Sequence, residues 1–366
     1  MTQRTADKVA RLNMNDVVIR SLEKRDMPRA IEVWSTAFGF TDVNRWHNFA
    51  FEVSDYVVGA FIDDCPQALA TVIMFDMHFN DRWIQCGGIA GVACTPPMRR
   101  RGLVKTVLKE CLTRLHKEKV EVSALWPFSF PFYEKMGYSI TDIQYEVTQQ
   151  IASIPEVGDS SAYKAVSLNE FAHLLPVHER WTSMFNMSLT RNASRWERQL
   201  ARPERQFVLF QHQDGYMIWN LKNPKDRTLE VVEWAFLTEK AFHDGLSLIK
   251  NCGQLAFDKA KWVMPGLEPF LQLGVSFPPA KIEIRHGMMS RIVNEDAFFK
   301  NSGLESFAQP INDPLNISGS STDSEALGPG ELLQIATGLT QKPGQENAAP
   351  LYRSAGKAQA FSIEQY

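Results

Sequence analysis

The chain has 366 residues, and its 39 lysines and arginines nearly balance its 42 aspartates and glutamates, leaving a formal charge of −3. Because single hydrophobic cores stop growing at roughly 250 to 300 residues, this length predicts two or three domains. An apolar content of 44% is enough for packed cores and excludes a wholly disordered chain. The near-neutral balance provides no overall field for nucleic acid, so any basic site must be local.

Cysteine usage and hydropathy predict a reduced, soluble, cytoplasmic protein. The five cysteines are odd in number, are widely spaced and form no CxxC pair, and the eight histidines form no pair at metal-ligand spacing. We therefore expect no metal. The first twenty residues lack the apolar stretch of a signal peptide, and no window approaches the ~18 apolar residues of a membrane span.

The first 150 residues alternate strand-like and helix-like patterns in the order of an α/β sandwich. Apolar residues at helical spacing predict helices at Met27–Phe38, Arg100–Lys119 and Pro131–Met136. Runs of β-branched and aromatic residues predict strands at Val17–Leu22, Tyr56–Ile62, Ala68–Phe79, Trp83–Cys94, Val120–Leu125 and Tyr138–Val147.

A second region comes after a linker predicted at Ala152–Ala162. Its patterns predict helices up to about Leu200, and then elements in an order that repeats the first region. These elements are a hairpin at Phe207–Trp219, a strand at Thr228–Phe236, a helix at Glu239–Lys250, a strand at Trp262–Met264 and a strand pair between Lys281 and Ile292. A degenerate duplication is therefore plausible, although no sequence repeat is detectable.

The last part of the chain has weaker patterns. A helix is predicted from Glu295 to about Lys300, with low complexity after it through Ser318–Gly330 and one amphipathic turn at Leu332–Ile335. On composition alone, residues 301–366 are also typical of a loosely ordered tail.

The most informative segment is Gly87–Val104, GGIAGVACTPPMRRRGLV. A strand runs into a turn with two prolines, three arginines precede Gly102, and an amphipathic helix begins directly after them. A helix N-terminus presents unpaired backbone N–H groups and the positive end of the helix dipole, which suit a phosphate. A run of three arginines alone is more often a solvated face or a nucleic-acid contact.

Two segments together resemble GNAT-fold N-acetyltransferases. The spacing Arg99-x-x-Gly102 resembles their acetyl-CoA motif, R/Q-x-x-G-x-G/A, with Val104 as a bulkier last residue. Downstream, Ala124–Ile140 reads ALWPFSFPFYEKMGYSI, and its F-Y-x-x-x-G-Y pattern matches the ending of the short GNAT helix. Tyr133 in this pattern is, on its own, more often a packing tyrosine than an acid.

More narrowly, the chain resembles the enhanced-intracellular-survival (Eis) family of N-acetyltransferases, through the R-R-R-G-L run, Tyr133 and the chain plan. The resemblance implies an α/β (α+β) protein with tandem GNAT-fold domains followed by a short C-terminal sterol-carrier-like domain. The implied ranges are 1–150 for the acetyltransferase domain, 160–296 for a degenerate GNAT-like domain and 297–366 for the sterol-carrier-like domain. The family forms rings of six, so the resemblance also implies a homo-oligomer, with a hexamer as the expected assembly.

The resemblance also assigns the site. Acetyl-CoA would be the co-substrate, held by strand edges, by N–H groups at the start of the helix and by residues near the thioester. The implied residues are Val92, Ala93, Cys94, Arg100, Arg101, Gly102, Leu103, Val104, Lys105, Phe128 and Ser129. Tyr133 would protonate the departing thiolate, and the terminal carboxylate, here that of Tyr366, would act as the base.

The acceptor is less defined. Phe38 and Trp46, in an aromatic-rich stretch, are candidates for the wall of an acceptor pocket, although ordinary core is the alternative. Asp42, Glu52, Asp55 and Glu364 are candidate anions for a cationic substrate. The leading hypothesis is transfer to small polycationic amines of aminoglycoside type. The alternatives are a protein or peptide lysine acetyltransferase and a non-enzymatic acyl-CoA-binding or lipid-binding protein, with no nucleic acid or membrane partner in any case.

Overall fold

The computed structural model describes residues 16–39, 42–202, 205–222, 225–266, 280–317, 321 and 326–339. The predicted terminal carboxylate at Tyr366 and the candidate anion Glu364 lie outside these residues. Within them, no helix is long and apolar enough to cross a membrane.

The described residues contain fifteen strands. They are β1 (Val18–Ser21), β2 (Tyr56–Ile62), β3 (Cys65–Phe79), β4 (Arg82–Cys94), β5 (Val122–Leu125), β6 (Ser139–Ile140), β7 (Ile143–Gln150), β8 (Lys164–Val166), β9 (Ser188–Leu189), β10 (Phe207–His212), β11 (Gly215–Asn220), β12 (Thr228–Phe236), β13 (Lys259–Met264), β14 (Lys281–His286) and β15 (Met289–Ile292). Most lie within a few residues of the predicted strands, because the β-branched and aromatic runs that predicted them are also the buried runs.

Nine α-helices accompany them in the described part of the chain. They are α1 (Met27–Phe38), α2 (Val43–Asn48), α3 (Leu103–Lys117), α4 (Phe130–Glu134), α5 (Leu175–Thr182), α6 (Ala193–Leu200), α7 (Glu239–Ala256), α8 (Glu295–Ser302) and α9 (Pro329–Ala336). The predicted turn at Leu332–Ile335 is therefore the centre of a two-turn helix, whose N-terminus is set by Pro329 at its first position.

The strands form two sheets. The first has the order β1-β2-β3-β4-β5-β15-β6, with β9 pairing β3, and the second has the order β14-β7-β13-β12-β11-β10-β8. All pairs are antiparallel except β4 with β5 and β12 with β13, which are parallel. Each parallel pair is joined by a helix, α3 in the first sheet and α7 in the second, as a parallel crossover requires.

The two sheets exchange strands, which corrects two sequence expectations. The strand predicted at Tyr138–Val147 is broken at 141–142, so that β6 belongs to the first sheet and β7 to the second. The strand pair predicted between Lys281 and Ile292 is likewise not a hairpin, since β14 pairs β7 and β15 pairs β5 and β6. Sequence position therefore does not separate the sheets at residue 150 or 296.

Tight turns fix the register of the central strands. Asp63 and Asp64 join β2 to β3, and Asn80 and Asp81 join β3 to β4, all four with positive φ between 49° and 61°. Two successive residues with positive φ define the type I′ hairpin turn, for which Asn and Asp are favoured after Gly. Asp63, Asp64, Asn80 and Asp81 thus have a specific conformational role in the two hairpins.

Helices cover the first sheet on both faces. On one face α3 packs its buried side chains, among them Val107, Leu108 and Leu112, against β2, β3 and β4. On the other face lie α1, α8 and α9, with Leu332 and Ile335 of α9 packed against β15 and neighbouring strands. The described residues after 297 therefore add to the core of the first sheet. The remainder of the predicted sterol-carrier-like range, residues 318–320, 322–325 and 340–366, lies outside the described part.

Candidate active site

A bulge bends β4 near its end. Thr71 pairs with Ala90 and Leu69 with Ala93, so two residues of β4, Gly91 and Val92, oppose one residue of β3. Gly91 has a φ of +56°, and a Cβ there would meet the Phe49 ring at 2.7 Å. An extra residue of this kind bends its strand and interrupts the ladder.

Beyond the bulge β4 has a strand partner on only one side. β5 pairs with Cys86–Ile89 of β4 and ends at Leu125, whereas β4 continues to Cys94 and stays paired with β3. The edge of Val92–Cys94 that faces β5 therefore has no neighbouring strand in the described part of the chain. An extended chain carrying amide groups can pair with such an edge.

The loop between β4 and α3 leads into a helix N-terminus of the kind that can bind an anion. Arg100 has a φ of +61° and Gly102 one of +87°, and Gly102 is the N-cap of α3. The first helical hydrogen bond runs from the N–H of Thr106 to the carbonyl of Gly102 at 3.1 Å. The N–H groups at positions 103–105 thus point out of the helix, where helix ends bind phosphates.

Space and charge at this loop fit a diphosphate. A Cβ built on Gly102 meets no atom within 4 Å. Arg100 and Lys105 are exposed, and Arg101 is half-buried. Leu103, by contrast, is buried in the core, and Val104 packs against the same core cluster, so these two predicted residues offer backbone donors rather than side chains. The bulk of Val104 is accommodated within the helix packing.

Tyr133 lies on α4 in an aromatic setting. Its ring is 2% exposed and contacts the rings of Phe128, Phe132 and Tyr138, with centroid distances of 5.2, 5.1 and 5.9 Å. Burial, with a smaller contribution from Tyr138, raises the pKa of the Tyr133 phenol well above its ordinary value near 10. The phenol is therefore neutral at physiological pH, which suits a proton donor.

The predicted thioester end is close to Tyr133. Phe128 is 68% exposed although its ring lies against that of Tyr133, and Ser129 is half-buried at the start of α4. The Ser129 carbonyl accepts the Tyr133 N–H at 3.4 Å. The motif that predicted Tyr133 thus brings Phe128, Ser129 and Tyr133 together.

The predicted acceptor pair is divided between surface and core. Trp46 is 4% exposed and stacks on Trp34 at 5.1 Å, and Trp34 donates its Nε1–H to the Gly91 carbonyl at 2.9 Å. Trp46 therefore supports the bulge as a core residue. Phe38 is 48% exposed, with its ring 5.6 Å from that of Trp46. Of these two residues, Phe38 is the one whose ring is exposed to a ligand.

Sequence reasoning missed the residues that shape the opening. These residues are Gly91, which makes the bulge with a positive φ, and Trp34, which donates its Nε1–H to the Gly91 carbonyl. The signal for Gly91 was present as a glycine within a β-branched run, which is typical of a bulge. No group of three or more His, Cys, Asp or Glu side chains able to hold a metal occurs among the described residues.

The second sheet contains a similar opening with different chemistry. β12 pairs with β13 only over Thr228–Glu230, and a bulge at Val232 comes next. Beyond this point the strands border a cavity of about 360 Å³ whose lining includes Glu230, Glu233 and Trp262. Two residues connect β12 to α7, in place of the eight between β4 and α3, and Glu239 lies in the first turn of α7.

Comparison with known proteins agrees with this architecture. The family of acetyltransferase (GNAT) domains matches residues 18–141, and a second acetyltransferase (GNAT) domain family matches residues 188–292. The first match ends just before β7, the strand that leaves for the second sheet. A comparison with curated protein sequences gives no match.

Three solved structures share the fold over nearly the whole chain. A GCN5-related N-acetyltransferase from Anabaena variabilis is 15% identical, with a TM-score of 0.80 over 96% of this chain and 100% of its own. A GCN5-related N-acetyltransferase from Kribbella flavida is 18% identical, with a TM-score of 0.77 over 97% and 100%. Eis1 from Mycobacterium abscessus is 18% identical, with a TM-score of 0.73 over 96% and 100%.

The two family matches and the fold therefore define a GNAT N-acetyltransferase with two GNAT domains in tandem. The predicted α/β fold class is confirmed. In its architecture the chain is Eis-like, as the arginine run and the Tyr133 motif indicated. GNAT domains use acetyl-CoA, which agrees with the predicted co-substrate and goes against the non-enzymatic alternative.

Proposed function

We propose that this chain transfers the acetyl group of acetyl-CoA to amines of small polycationic molecules of aminoglycoside type, at the opening in the first sheet. The observation that supports this most directly is the combination of the bulged β4 edge with the loop that ends at Gly102. The edge offers backbone partners to an amide-bearing chain, and the loop offers N–H donors and positive charge to a diphosphate. Both halves of the co-substrate are thus accommodated on one strand and the helix that comes after it.

In this proposal each part of acetyl-CoA has its own residues. The backbone of Val92, Ala93 and Cys94 pairs with the pantetheine arm. The loop N–H groups from Arg100 to Lys105 hold the diphosphate, with the side chains of Arg100, Arg101 and Lys105 adding charge. Phe128 and Ser129 border the thioester.

The chemistry is a nucleophilic acyl transfer with two proton movements. The neutral amine nitrogen attacks the thioester carbonyl, the new C–N bond forms and the C–S bond breaks. The Tyr133 hydroxyl gives its proton to the departing thiolate, and solvent reprotonates the phenolate. The amine proton goes to the terminal carboxylate of Tyr366 in this scheme, a weak base that must be partly desolvated to act.

The acceptor side is proposed from exposure and charge. Phe38 provides an exposed apolar ring, and Glu52 an exposed carboxylate on the neighbouring segment. Asp42 and Asp55 already have structural partners, because they accept the N–H groups of Arg45 and Met74. Of the described candidate anions, Glu52 is therefore the one we assign to a cationic acceptor.

The activity test is a thiol-release assay with acetyl-CoA and a panel of aminoglycosides, linear polyamines and lysine peptides. We expect turnover with the aminoglycosides and polyamines and little with the peptides. Turnover confined to lysine peptides would support a protein acetyltransferase instead. Light scattering of the same preparation tests the proposed homo-oligomer, for which a hexamer is expected.

The proposed base is tested at the chain end. Because an α-carboxylate is present whatever the last side chain is, Tyr366→Phe should leave turnover nearly unchanged. A short C-terminal extension should stop turnover by displacing the carboxylate. If the extended protein turns over as fast as the protein without the extension, the terminal carboxylate of Tyr366 is not the base.

A further inference from the structure

A buried ion pair lies beside the turn that follows α4, the helix that carries Tyr133. Arg291 on β15 and Asp313, which lies beyond α8, are both 0% exposed in their side chains, with Nη2 of Arg291 2.7 Å from Oδ2 of Asp313. They come from the far end of the second region and from the C-terminal segment. A buried charge pair is costly to desolvate, so its geometry must be well satisfied to persist.

Arg291 uses its remaining donors on backbone carbonyls. Nη1 donates to the Met136 carbonyl at 2.5 Å, and Nε donates to the Ile292 carbonyl at 3.2 Å. Asp313 in turn accepts the N–H groups of Leu315 at 3.0 Å and Ile317 at 2.9 Å. The pair therefore connects three segments: β15, the C-terminal segment and the turn after α4.

The turn after α4 is tied directly to Tyr133. The N–H groups of Met136 and Tyr138 both donate to the Tyr133 carbonyl, at 2.9 and 3.2 Å. Arg291 holds the Met136 peptide from the other side. Two successive hydrogen bonds thus link the buried guanidinium to the backbone of Tyr133.

Gly137, within this turn, is closely surrounded by Arg291 and by the C-terminal segment. Gly137 has a φ of +79°, and a Cβ there would lie 2.8 Å from Pro329, 3.2 Å from Nη1 of Arg291 and 3.3 Å from Pro314. The turn is therefore enclosed by Arg291 and by the C-terminal segment. Since α4 has only five residues and no side-chain cap, its own hydrogen bonds restrain it weakly.

From these contacts we propose that Arg291, oriented by Asp313, is a positioning residue for Tyr133, holding the α4 turn so that the phenol stays aligned with the reacting thioester. The proposal rests on the proposed function in assigning an acid role to Tyr133. The strand exchange makes this contact possible, because β15 carries Arg291 from the second region into the first sheet. The guanidinium acts through the Met136 peptide and does not touch substrate.

The kinetic test is a double-mutant cycle with Arg291→Lys and Tyr133→Phe. A lysine keeps a positive charge for Asp313 but lacks the planar fork that reaches three acceptors. We expect Arg291→Lys to lower kcat roughly 10-fold to 100-fold with the KM for acetyl-CoA within about twofold, since small misplacements of catalytic groups have effects of this size. In the Tyr133→Phe background the same substitution should cause no further loss. If the two substitutions lower kcat independently, so that their fold-losses multiply in the double variant, the proposal is overturned.

A second readout does not depend on activity. Hydrogen exchange of the amides of residues 133–138, followed by mass spectrometry, should be faster in Arg291→Lys, while exchange in α5 is unchanged. Unchanged exchange at 133–138 would also overturn the proposal. If wild-type protein acetylates no amine, the proposed function fails, and this experiment still tests the link.

The matched control is a second buried arginine–carboxylate pair, Arg191 with Glu233, whose side chains are 0% and 1% exposed. Arg191→Lys breaks a pair of equal burial in the second region and should leave exchange at 133–138 unchanged. If Arg291→Lys does not fold, Asp313→Asn is the milder variant, because it removes the charge and keeps the shape. It should give the same pattern with smaller changes, and a normal kcat with normal exchange would contradict the proposal.

Discussion

The two sheets carry the same crossover and differ in the segment that leads from its first strand into its helix. β4, α3 and β5 form one parallel unit and β12, α7 and β13 the other, and in both the pairing of the parallel strands ends just before a bulge in the first strand. In the first sheet the separation leaves an edge of β4 with no strand partner among the described residues, beside the loop that ends at Gly102. In the second it leaves a cavity lined by charged side chains. The topology thus provides an opening, and the local residues decide whether acetyl-CoA fits it.

The helix N-termini show this difference most clearly. The eight residues between β4 and α3 place the free N–H groups of α3 at a glycine with open space. In the second region Thr238 directly precedes α7, and its hydroxyl accepts the Ala241 N–H at 3.2 Å. Glu239 in the first turn of α7 adds negative charge, which repels a phosphate. At this helix end the Thr238 hydroxyl therefore occupies one of the N-terminal donors, and a carboxylate lies in the first turn, where the first sheet has Gly102 and open space.

Ion pairs occupy the second opening in the same way. Glu230 pairs with Arg205 at 2.6 Å, and Glu146 pairs with Arg285 at 2.7 Å, both at the wall of the cavity. Glu233 on β12 is bound by Arg191 at 3.1 Å and by the Tyr216 hydroxyl. In the second sheet, paired charged side chains thus line the space where the strands separate. In the first sheet, the corresponding edge of β4 has no strand partner among the described residues.

The largest effect that sharpens this comparison is expected at the acid. Tyr133→Phe should lower turnover by roughly 10² or more and leave acetyl-CoA affinity nearly unchanged, since a positioned acid contributes on that scale. Steady-state kinetics with calorimetry measure both quantities. Tyr138→Phe is the matched control, because this neighbouring buried phenol is hydrogen-bonded to Ser123 at 2.8 Å. Equal turnover of Tyr133→Phe and wild type would leave solvent as the proton source.

Cofactor binding should be confined to the first sheet. Gly102→Val should weaken acetyl-CoA binding about 100-fold, because the new side chain enters the space beside the helix N-terminus and a β-branched residue is strained at a φ of +87°. Calorimetry on wild type should give one site per chain.

The control for Gly102→Val is Gly39→Val, which has a similar φ of +77° and also no atom within 4 Å of its Cβ. It should lose comparable stability and keep its affinity for acetyl-CoA. Two sites per chain, or unchanged binding in Gly102→Val, would show that the second opening also binds the co-substrate.

The sequence predicted the parts of the fold and site that depend on local pattern. The bounds of α1 were predicted to the residue, and the arginine loop and Tyr133 motif were recognised by their spacing. The strand exchange was not predicted. β14 and β15 are separated by only two residues, and nothing in their apolar pattern indicates that they pair in different sheets. Arg291 was missed for the same reason. A buried arginine is defined by partners distant in sequence, here Met136 and Asp313.

A pH effect should distinguish the second region. Burial lowers the pKa of His178 well below its ordinary value near 6.5, with the Arg191 charge adding to the shift. A histidine with a lowered folded pKa contributes stability that is present above the unfolded pKa and is lost as pH falls below about 6.5. The Tm of the wild-type protein should therefore fall as the pH is lowered from 8 to 5. In His178→Gln this fall in Tm should be smaller. If Tm depends on pH in the same way in His178→Gln and in wild type, other groups cause the loss of stability in acid.

The smallest effect is expected at Arg100, and it separates backbone from side-chain contributions at the first opening. Arg100 is exposed, so its charge is screened by solvent and is worth no more than about 1 kcal/mol, roughly a fivefold change in Kd. Arg100→Ala should therefore weaken acetyl-CoA binding far less than Gly102→Val, because the N–H donors of the loop remain. Lys109→Ala, which removes another exposed charge in the second turn of α3, should have almost no effect. Since screening acts on exposed charges, the difference between the two variants should shrink as salt is added. A loss for Arg100→Ala as large as that for Gly102→Val would mean that the side chain, and not the helix N-terminus, holds the diphosphate.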